Sequence, residues 1–311
     1  MALKRKDLLG LRGLSRVEIE EILTTAEEMK SLLLSGSKES SLLQNKSVVT
    51  LFYENSTRTR FSFEFAAKYL GAHTASVAVS SSSVAKGESL IDTGKTIQSM
   101  GVDVIVIRHP MSGAPHLLAK HVSASVINAG DGINEHPTQA LLDMFTMKEK
   151  KGAIDGLRVA IIGDILHSRV ARSNIWGLTT MGAEVRVAGP PTLMPPDIDK
   201  MGVKVFYKVE EAIKDADVVM GLRLQKERQQ KGLLPSLREY TRLFGITEER
   251  IRLAAKDALI MHPGPVNRGV EIASELVDGE QSVINQQVTN GVAVRMALLY
   301  LLMGRNQDAV Y

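Results

Sequence analysis

Cysteine is absent from the 311-residue sequence, so disulfides, thiolate metal sites and cysteine nucleophiles are excluded. Aromatic residues are also scarce, at 5%, with a single tryptophan. No stretch approaches the roughly 18 uninterrupted apolar residues that a membrane-spanning helix needs. The first ten residues include lysine and arginine but lack the apolar segment of a signal peptide. We therefore expect a cytoplasmic protein without membrane association.

A large excess of one charge is missing as well. The 38 lysine and arginine residues nearly balance the 35 aspartate and glutamate residues, which leaves a net charge of +3. This small excess predicts no nucleic-acid partner. The hydrophobic fraction, by contrast, is 44%, which is enough for well-packed cores. The length is typical of two domains of about 150 residues each.

Helical and strand-like patterns alternate along the whole chain. Apolar strands are predicted at 48–53, 75–79, 103–107, 125–128, 158–162, 184–188, 203–206, 217–222 and 258–261. One helix is predicted to follow the first strand and to run to about residue 70. Other helices are predicted at 15–34, 89–100, 114–120, 137–151, 168–181, 209–215, 236–244 and 280–303. The alternation predicts an α/β protein with two parallel-sheet α/β domains joined by interdomain helices. We expect domains at 1–150 and 151–284, with a final helix in 285–311 packed on the first.

The most informative segment, 56–60, begins the helix after the first strand and reads Ser-Thr-Arg-Thr-Arg. A helix N-terminus favours anions, so each arginine there costs about 0.3–1 kcal/mol at an exposed site. A bound anion would reverse that cost, because backbone N–H groups, hydroxyls and guanidinium groups together form a phosphate receptor. The alternative is a solvated helix start. It suits Arg60 better than Arg58, since Arg60 can pair with Glu64 and the two arginines face different ways.

Further polar residues follow the predicted carboxyl ends of later strands, which is where ligands bind in open α/β sheets. They are Arg108, His136, Gln139, Arg169, Arg223, Gln225 and the segment 262–265. The arginines predict a substrate that carries several negative charges. A helix N-terminus also keeps an imidazole neutral, so His136 could donate a hydrogen bond to a carbonyl.

Each of these residues also has a structural interpretation. Arg108 could be a surface cation, His136 a helix-capping histidine and Gln139 a solvent-facing amide. Arg223 could begin a solvated helix. Lys86, in a serine-rich loop, could be merely solvated.

Several motifs that carry chemistry are missing. No G-x-G-x-x-G motif follows 158–162, which argues against a dinucleotide-dependent dehydrogenase. No P-loop or G-x-S-x-G motif occurs, so neither an NTPase nor a serine nucleophile is supported. The histidines lack the spacing of metal ligands, and His262 fits a hydrogen-bonded core histidine. The sequence therefore predicts no metal and no cofactor.

Six segments, in the same order, resemble the transcarbamoylase family, and within it the members whose amino acceptor is aspartate. They are 52–60 (FYENSTRTR), 86–88 (KGE), 108–110 (RHP), 136–139 (HPTQ), 223–228 (RLQKER) and 262–265 (HPGP). The resemblance covers essentially the whole chain. It implies transfer of a carbamoyl group from carbamoyl phosphate to the α-amine of L-aspartate, in pyrimidine biosynthesis. It also implies that 1–150 binds carbamoyl phosphate and 151–284 binds aspartate.

The resemblance further implies which residues bind carbamoyl phosphate. They are Ser56, Thr57, Arg58, Thr59, Ser82, Arg108, His136, Gln139, Pro263 and Gly264. Arg108 would bridge the phosphate and the carbonyl oxygen, and His136 and Thr59 would polarise that carbonyl. Gln139 and the main-chain carbonyls of 263–264 would accept hydrogen bonds from the carbamoyl NH2 group.

A second set of residues would bind the two carboxylates of aspartate. These are Lys86, Arg169, Arg223 and Gln225. In this family the loop that carries Ser82 and Lys86 reaches the site of a neighbouring subunit, where Lys86 would contact both ligands. The resemblance thus implies a homotrimer with shared active sites, assembled by closure of the two domains. It leaves open a regulatory chain or another pyrimidine-pathway enzyme as a further partner.

The chain departs from the family at two positions. Val170 stands where some members have threonine, so a side-chain hydroxyl is missing there. Gly264 stands where others have leucine, at a contact expected through the main chain.

Two other functions compete with this one. An ornithine or other amino-acid carbamoyltransferase is the nearest alternative, but the absence of cysteine excludes the His-Cys-Leu-Pro turn expected of ornithine enzymes. A non-catalytic phosphate-ligand-binding scaffold on this fold would be expected to lack a catalytic residue. The catalytic residues implied by the resemblance are all present: Arg58, Thr59, Lys86, Arg108 and His136.

Overall fold

The computed structural model describes residues 3–36, 40–78, 87–224 and 236–304. In these ranges the strands are β1 (Ser47–Phe52), β2 (His73–Ala78), β3 (Val104–His109), β4 (Ser125–Asp131), β5 (Arg158–Ile162), β6 (Glu184–Ala188), β7 (Lys204–Phe206), β8 (Val218–Gly221) and β9 (Leu259–Met261). The α-helices are α1 (Arg16–Leu34), α2 (Thr57–Tyr69), α3 (Leu90–Ser99), α4 (Ala114–Ala119), α5 (Pro137–Lys151), α6 (Arg169–Thr180), α7 (Val209–Ile213), α8 (Leu237–Phe244), α9 (Glu248–Ile251), α10 (Ser274–Val277) and α11 (Ile284–Met303).

The strands form two parallel sheets, and helices alternate with the strands along the chain. The first sheet has the order β2-β1-β3-β4 and the second the order β7-β6-β5-β8-β9. Every strand pair in both sheets is parallel. The predicted fold class, with two parallel-sheet α/β domains, is confirmed.

The central strands are buried along nearly their whole length, as expected for parallel strands covered by helices on both faces. In the first sheet Leu51, Ile105 and Val126 lie in one core with helix residues. In the second sheet Ala160 and Val219 lie in a separate core. Each sheet therefore has its own hydrophobic core.

The chain divides into two compact units. One comprises 1–141 with 289–311, and the other comprises 142–288. Helices α5 and α11 therefore each contribute residues to both units. The limits expected from the sequence, after 150 and after 284, fall within these same helices. The ligand assigned to each domain stays a prediction.

Local signals explain where several helices begin. Glu18 donates its N–H to the Ser15 hydroxyl at 3.3 Å and accepts the N–H of Ser15 at 2.8 Å, which is the capping box that the sequence predicts at the start of α1. Pro137 is the first residue of α5, where its missing N–H costs nothing. The sequence carries no clear signal for α9 and α10, because four residues are too few to show a helical repeat.

Two strands continue beyond their predicted ends. β3 extends to His109 and β4 to Asp131, so Arg108 lies inside a strand rather than in the loop after it. The pairing of β3 with β4 shifts register between Ile107 and His109, where β4 carries an extra residue. Among the described residues, no helix is both long and apolar enough to cross a membrane.

Candidate active site

The strand order of the first sheet reverses between β1 and β3. From β1 the chain moves to β2 on one side, whereas β3 and β4 follow on the other. Such a switch point leaves a crevice beyond the carboxyl ends of the two central strands, where ligands bind. Segment 56–60 follows β1, and Arg108 lies near the end of β3 in register with Phe52. The topology therefore brings segment 56–60 and Arg108 to one edge of this sheet.

The N-terminus of α2 lacks the capping bond and the acidic residues that many helix starts have. Ser56 precedes the helix, and its side chain makes no capping hydrogen bond. The first turn contains no acidic residue, although acidic residues are the favoured choice there. Thr57 and Arg58 are exposed, whereas Thr59 is buried. An anion at this end of the helix would face its first N–H groups, together with hydroxyls and a guanidinium group.

Arg60 lies in a different environment from Arg58. Its Nε is 3.7 Å from Oε1 of Glu64, and its guanidinium lies 5.3 Å from the centre of the Phe61 ring. The pair with Glu64 is the one that the sequence predicts. Arg60 is therefore engaged with neighbours on its own helix.

Arg108 is largely buried and is held beside β1. Its Nε lies 3.2 Å from Oε2 of Glu54, and a terminal nitrogen donates to the carbonyl of Ala129 at 3.4 Å. Its main-chain carbonyl accepts the N–H of Tyr53 at 2.8 Å. This environment argues against the interpretation of Arg108 as a simple surface cation. The sequence carries no signal for this role of Glu54, because only the pairing of β1 with β3 reveals its neighbour.

One carboxylate organises the turn that leads to His136. Oδ1 of Asp131 accepts from Nδ2 of Asn128 at 2.8 Å and from the N–H of Glu135 at 3.1 Å. Oδ2 accepts the N–H of Gly113 at 2.7 Å. The end of β4 is thereby tied to the loop that follows β3. His136 comes directly after the turn and is only 4% accessible.

A close approach between two loops also depends on Gly132. Its φ is +46°, and a Cβ at this position would lie 2.8 Å from the main-chain nitrogen of Ser112 and 3.0 Å from the carbonyl oxygen of Pro110. The turn therefore packs directly on the loop after β3. The N–H of Gln139 donates to the carbonyl of His136 at 3.0 Å, so both side chains belong to the first turn of α5, and both are buried.

The second sheet has its own switch point, between β5 and β8. Arg169 is the first residue of α6, which follows β5, and it is 3% accessible. Ser168 caps α6 by accepting the N–H of Ala171 at 3.1 Å, and the first turn contains no acidic residue. Arg223 follows β8. Two guanidinium groups therefore follow adjacent strands, which suits an anionic ligand.

A buried network holds the turn after β9. Nδ1 of His262 accepts the N–H of Gly264 at 2.8 Å, and the N–H of His262 donates to Oε1 of Gln287 at 3.1 Å. Nε2 of Gln287 donates to Asp143 at 2.7 Å, and Asp143 also accepts from Asn174 at 2.8 Å. His262 is 1% accessible, which agrees with a core histidine, and its main-chain N–H and Nδ1 take part in these hydrogen bonds.

The predicted site residues that the structure describes fall into two groups, one in each unit. The first unit contains Ser56, Thr57, Arg58, Thr59, Arg108, His136 and Gln139, and the second contains Arg169, Arg223, Pro263 and Gly264. Ser82, Lys86 and Gln225 lie outside the described residues. Within the described ranges, no three histidine, aspartate or glutamate side chains are grouped so that they could hold a metal ion.

Two family models together match nearly the whole chain. Residues 6–149 match the carbamoyl-P binding domain of aspartate/ornithine carbamoyltransferase, and residues 155–302 match its Asp/Orn binding domain. The chain belongs to the aspartate/ornithine carbamoyltransferase family. The family resemblance that the six sequence segments predict is therefore confirmed.

Individual carbamoyltransferases show the same relationship. The aspartate carbamoyltransferase catalytic subunit of Ruminiclostridium cellulolyticum is 70% identical over 305 residues, which are 98% of this chain and 97% of that protein. The structure of aspartate transcarbamoylase from Trypanosoma cruzi in complex with carbamoyl phosphate and aspartate has a TM-score of 0.87 at 33% identity. The match covers 96% of this chain and 97% of that chain. Ornithine carbamoyltransferase from Pyrococcus furiosus has a TM-score of 0.87 at 31% identity, and the match covers 98% of this chain and 99% of that chain. The fold is thus common to carbamoyltransferases that use different amino acceptors.

Proposed function

We propose that this protein transfers the carbamoyl group from carbamoyl phosphate to the α-amine of L-aspartate, a step of pyrimidine biosynthesis. The products are N-carbamoyl-L-aspartate and phosphate. The observation that carries the proposal is the start of α2, which lacks acidic residues and lies at a switch point with Arg108. The relative that is 70% identical and is named an aspartate carbamoyltransferase catalytic subunit supports aspartate as the acceptor.

Carbamoyl phosphate is assigned mainly to the first unit. The phosphate would be bound by Ser56, Thr57, Arg58 and Thr59, with help from Ser82. Arg108 would contact both the phosphate and the carbonyl oxygen. The buried side chain of Gln139 would accept from the carbamoyl NH2 group, as would the main-chain carbonyls of 263–264. Helix N–H groups and guanidinium groups are the usual ligands of a phosphate, which supports this assignment.

The chemistry needs no protein nucleophile, because the amine of aspartate attacks the carbonyl carbon. The new C–N bond turns the carbonyl into a tetrahedral oxyanion, and its collapse breaks the bond from carbon to the phosphate oxygen. Phosphate leaves with the bonding electrons and can take the amine proton. Thr59, Arg108 and His136 would stabilise the oxyanion, and removal of one such donor typically costs about 10²–10³ in kcat. Holding both substrates in place can contribute on the order of 7–11 kcal/mol more.

Aspartate is assigned to Arg169, Arg223 and Gln225, together with Lys86. The two arginines follow adjacent strands of the second sheet. A guanidinium binds a carboxylate with two parallel hydrogen bonds and is more easily desolvated than an ammonium group. Ornithine carries a cationic side chain, which two arginines would repel. The arginines therefore favour a dicarboxylic acceptor.

The proposal includes a homotrimer with shared active sites. Ser82 and Lys86 would act in the site of a neighbouring subunit, with Lys86 on both ligands. The support for this is the Lys86-Gly87-Glu88 segment of the sequence. A regulatory chain or another pathway enzyme as partner, and the cytoplasmic location, stay predictions.

The test is a carbamoyl-transfer assay with the purified protein. Carbamoyl phosphate is supplied with L-aspartate or with L-ornithine, and the ureido product and released phosphate are both measured. We expect N-carbamoyl-L-aspartate and phosphate in equal amounts, and no citrulline. Preferential formation of citrulline would favour the ornithine alternative. Binding of carbamoyl phosphate without acceptor-dependent phosphate release would favour the non-catalytic scaffold.

A further inference from the structure

Glu271 is a buried carboxylate that the proposed reaction does not use. It lies between β9 and α10 and is 1% accessible. Its main-chain carbonyl accepts the N–H of Ile246 at 2.9 Å, which fixes its backbone. Both carboxylate oxygens accept N–H donors, and these donors come from two different segments of the second unit.

One carboxylate oxygen holds the peptide that follows Arg223. Oε1 of Glu271 accepts the N–H of Leu224 at 3.0 Å. On the other side of Arg223, the N–H of Leu222 donates to the carbonyl of Ile162 at 2.9 Å. The backbone of Arg223 is therefore held on both sides. A buried N–H that loses its acceptor is strongly disfavoured, so without the carboxylate this peptide would rotate toward another partner.

The same carboxylate holds the segment after β9. Oε2 accepts the N–H of Asn267 at 2.7 Å, and Oε1 accepts from Nδ2 of Asn267 at 2.6 Å. Oε2 also lies 4.0 Å from Nε2 of His262, whose Nδ1 accepts the N–H of Gly264. Glu271 therefore faces both ends of the stretch 262–267, which includes the main chain assigned to the carbamoyl NH2 group.

We propose that Glu271 is a positioning residue that fixes Arg223 and the main chain of 263–264 relative to each other. The inference rests on the proposed function, in which Arg223 binds a carboxylate of aspartate and 263–264 bind the carbamoyl group. A carboxylate suits this task because an ionised carboxylate only accepts hydrogen bonds, at both oxygens. A glutamine of the same shape would turn an NH2 group toward one set of N–H donors.

The experiment compares Glu271→Gln with Glu275→Gln, a matched control at an exposed acid in α10. Aspartate is varied at saturating carbamoyl phosphate, and the affinity for inorganic phosphate is measured by titration. For Glu271→Gln we expect kcat/KM for aspartate to fall roughly 10–100-fold, since a displacement of 1 Å can cost about 10²-fold. Phosphate affinity, which belongs to the first unit, should not change. Glu275→Gln should match the wild type in both measurements.

Two results would overturn the inference. One is an aspartate kcat/KM in Glu271→Gln equal to that of Glu275→Gln, and the other is an equal loss of phosphate affinity, which would indicate general damage to the fold. If Glu271→Gln does not fold, Asn267→Ala removes only the 2.6 Å bond. It should raise KM for aspartate about two- to tenfold, and an unchanged KM would contradict the proposal. A wild-type protein that forms no N-carbamoyl-L-aspartate would instead overturn the proposed function.

Discussion

The N–H of Gly113 lies 2.7 Å from Oδ2 of Asp131, and this hydrogen bond joins the loop after β3 to the turn after β4. Arg108 precedes that loop and His136 follows that turn, so a single carboxylate couples their positions. We predict that Asp131→Asn lowers the free energy of unfolding by about 1–3 kcal/mol, because an amide cannot accept at both positions. We also expect kcat to fall as His136 shifts. Urea unfolding and steady-state kinetics measure the two effects.

The matched control for this substitution is Asp199→Asn, at an exposed aspartate of the second unit. We expect it to leave both the unfolding midpoint and kcat at their wild-type values. Equal behaviour of the two variants would show that the carboxylate of Asp131 does not organise the turn.

Arg58 and Arg60 should respond differently to the same substitution. Arg58→Ala removes a guanidinium assigned to the phosphate and to charge stabilisation, and we expect kcat/KM to fall by at least about 10²–10³-fold. Arg60→Ala removes a partly exposed pair with Glu64, which is worth about 1 kcal/mol or less. It should keep most of the activity. Near-normal kinetics of Arg58→Ala would contradict the phosphate role of 56–60.

Shared active sites predict complementation between inactive subunits. Lys86→Ala and Arg58→Ala subunits are each expected to be inactive as pure trimers. After mixing in equal amounts with subunit exchange, about one quarter of the sites would combine an intact Arg58 with a neighbour's intact Lys86. Activity should rise toward that fraction of the wild-type value. A mixture that stays inactive, while mass spectrometry detects hybrid trimers, would argue against a contribution of Lys86 in trans.

The hydrogen-bonded pair of Arg5 with Glu18, at the start of α1, predicts a pH-dependent contribution to stability. Hydrogen bonds from Arg5 chiefly, and from Ser15, lower the pKa of Glu18 from 4.5 to about 2, against a smaller opposing effect of burial. The folded state therefore binds this proton less readily than the unfolded state. The stabilisation is complete above pH 4.5 and is lost as the pH falls toward 2.

The corresponding measurement compares urea midpoints of Glu18→Gln and the wild type. Because Glu18 is near the surface, we expect a difference of about 1 kcal/mol or less at neutral pH. The difference should shrink between about pH 5 and about pH 2. Glu28→Gln, at an exposed position of the same helix, should match the wild type throughout. A difference for Glu18→Gln that is independent of pH would contradict the shifted pKa.

Residues with local signals could be read from the sequence. The capping box of Ser15 and Glu18 depends on positions three residues apart, and the start of α5 depends on Pro137 alone. The pair of Arg60 with Glu64 needs only a helical repeat. Segment 56–60 is likewise recognisable, because its hydroxyls, its arginines and the start of its helix lie together in the sequence.

Residues that act through distant partners could not be found in this way. Glu54 meets Arg108 only through the pairing of β1 with β3. Glu271 meets Leu224 across 47 positions of the chain. Neither acid stands out in the sequence, because its role depends on a neighbour that the fold supplies.

The sequence by itself determined the alternation of helices and strands, the family and the candidate residues for binding a polyanionic substrate. These follow from periodicity, helix caps and side-chain chemistry, which act over a few residues. Only the tertiary structure decided the strand order, and with it the two switch points. At one, 56–60 and Arg108 lie at the same edge of the first sheet; at the other, the strands that precede Arg169 and Arg223 are neighbours. The tertiary structure also decided which buried carboxylates accept hydrogen bonds from the loops near these residues, as Asp131 and Glu271 do. The physical reason is that strand order and buried hydrogen bonds depend on packing between segments far apart in the chain.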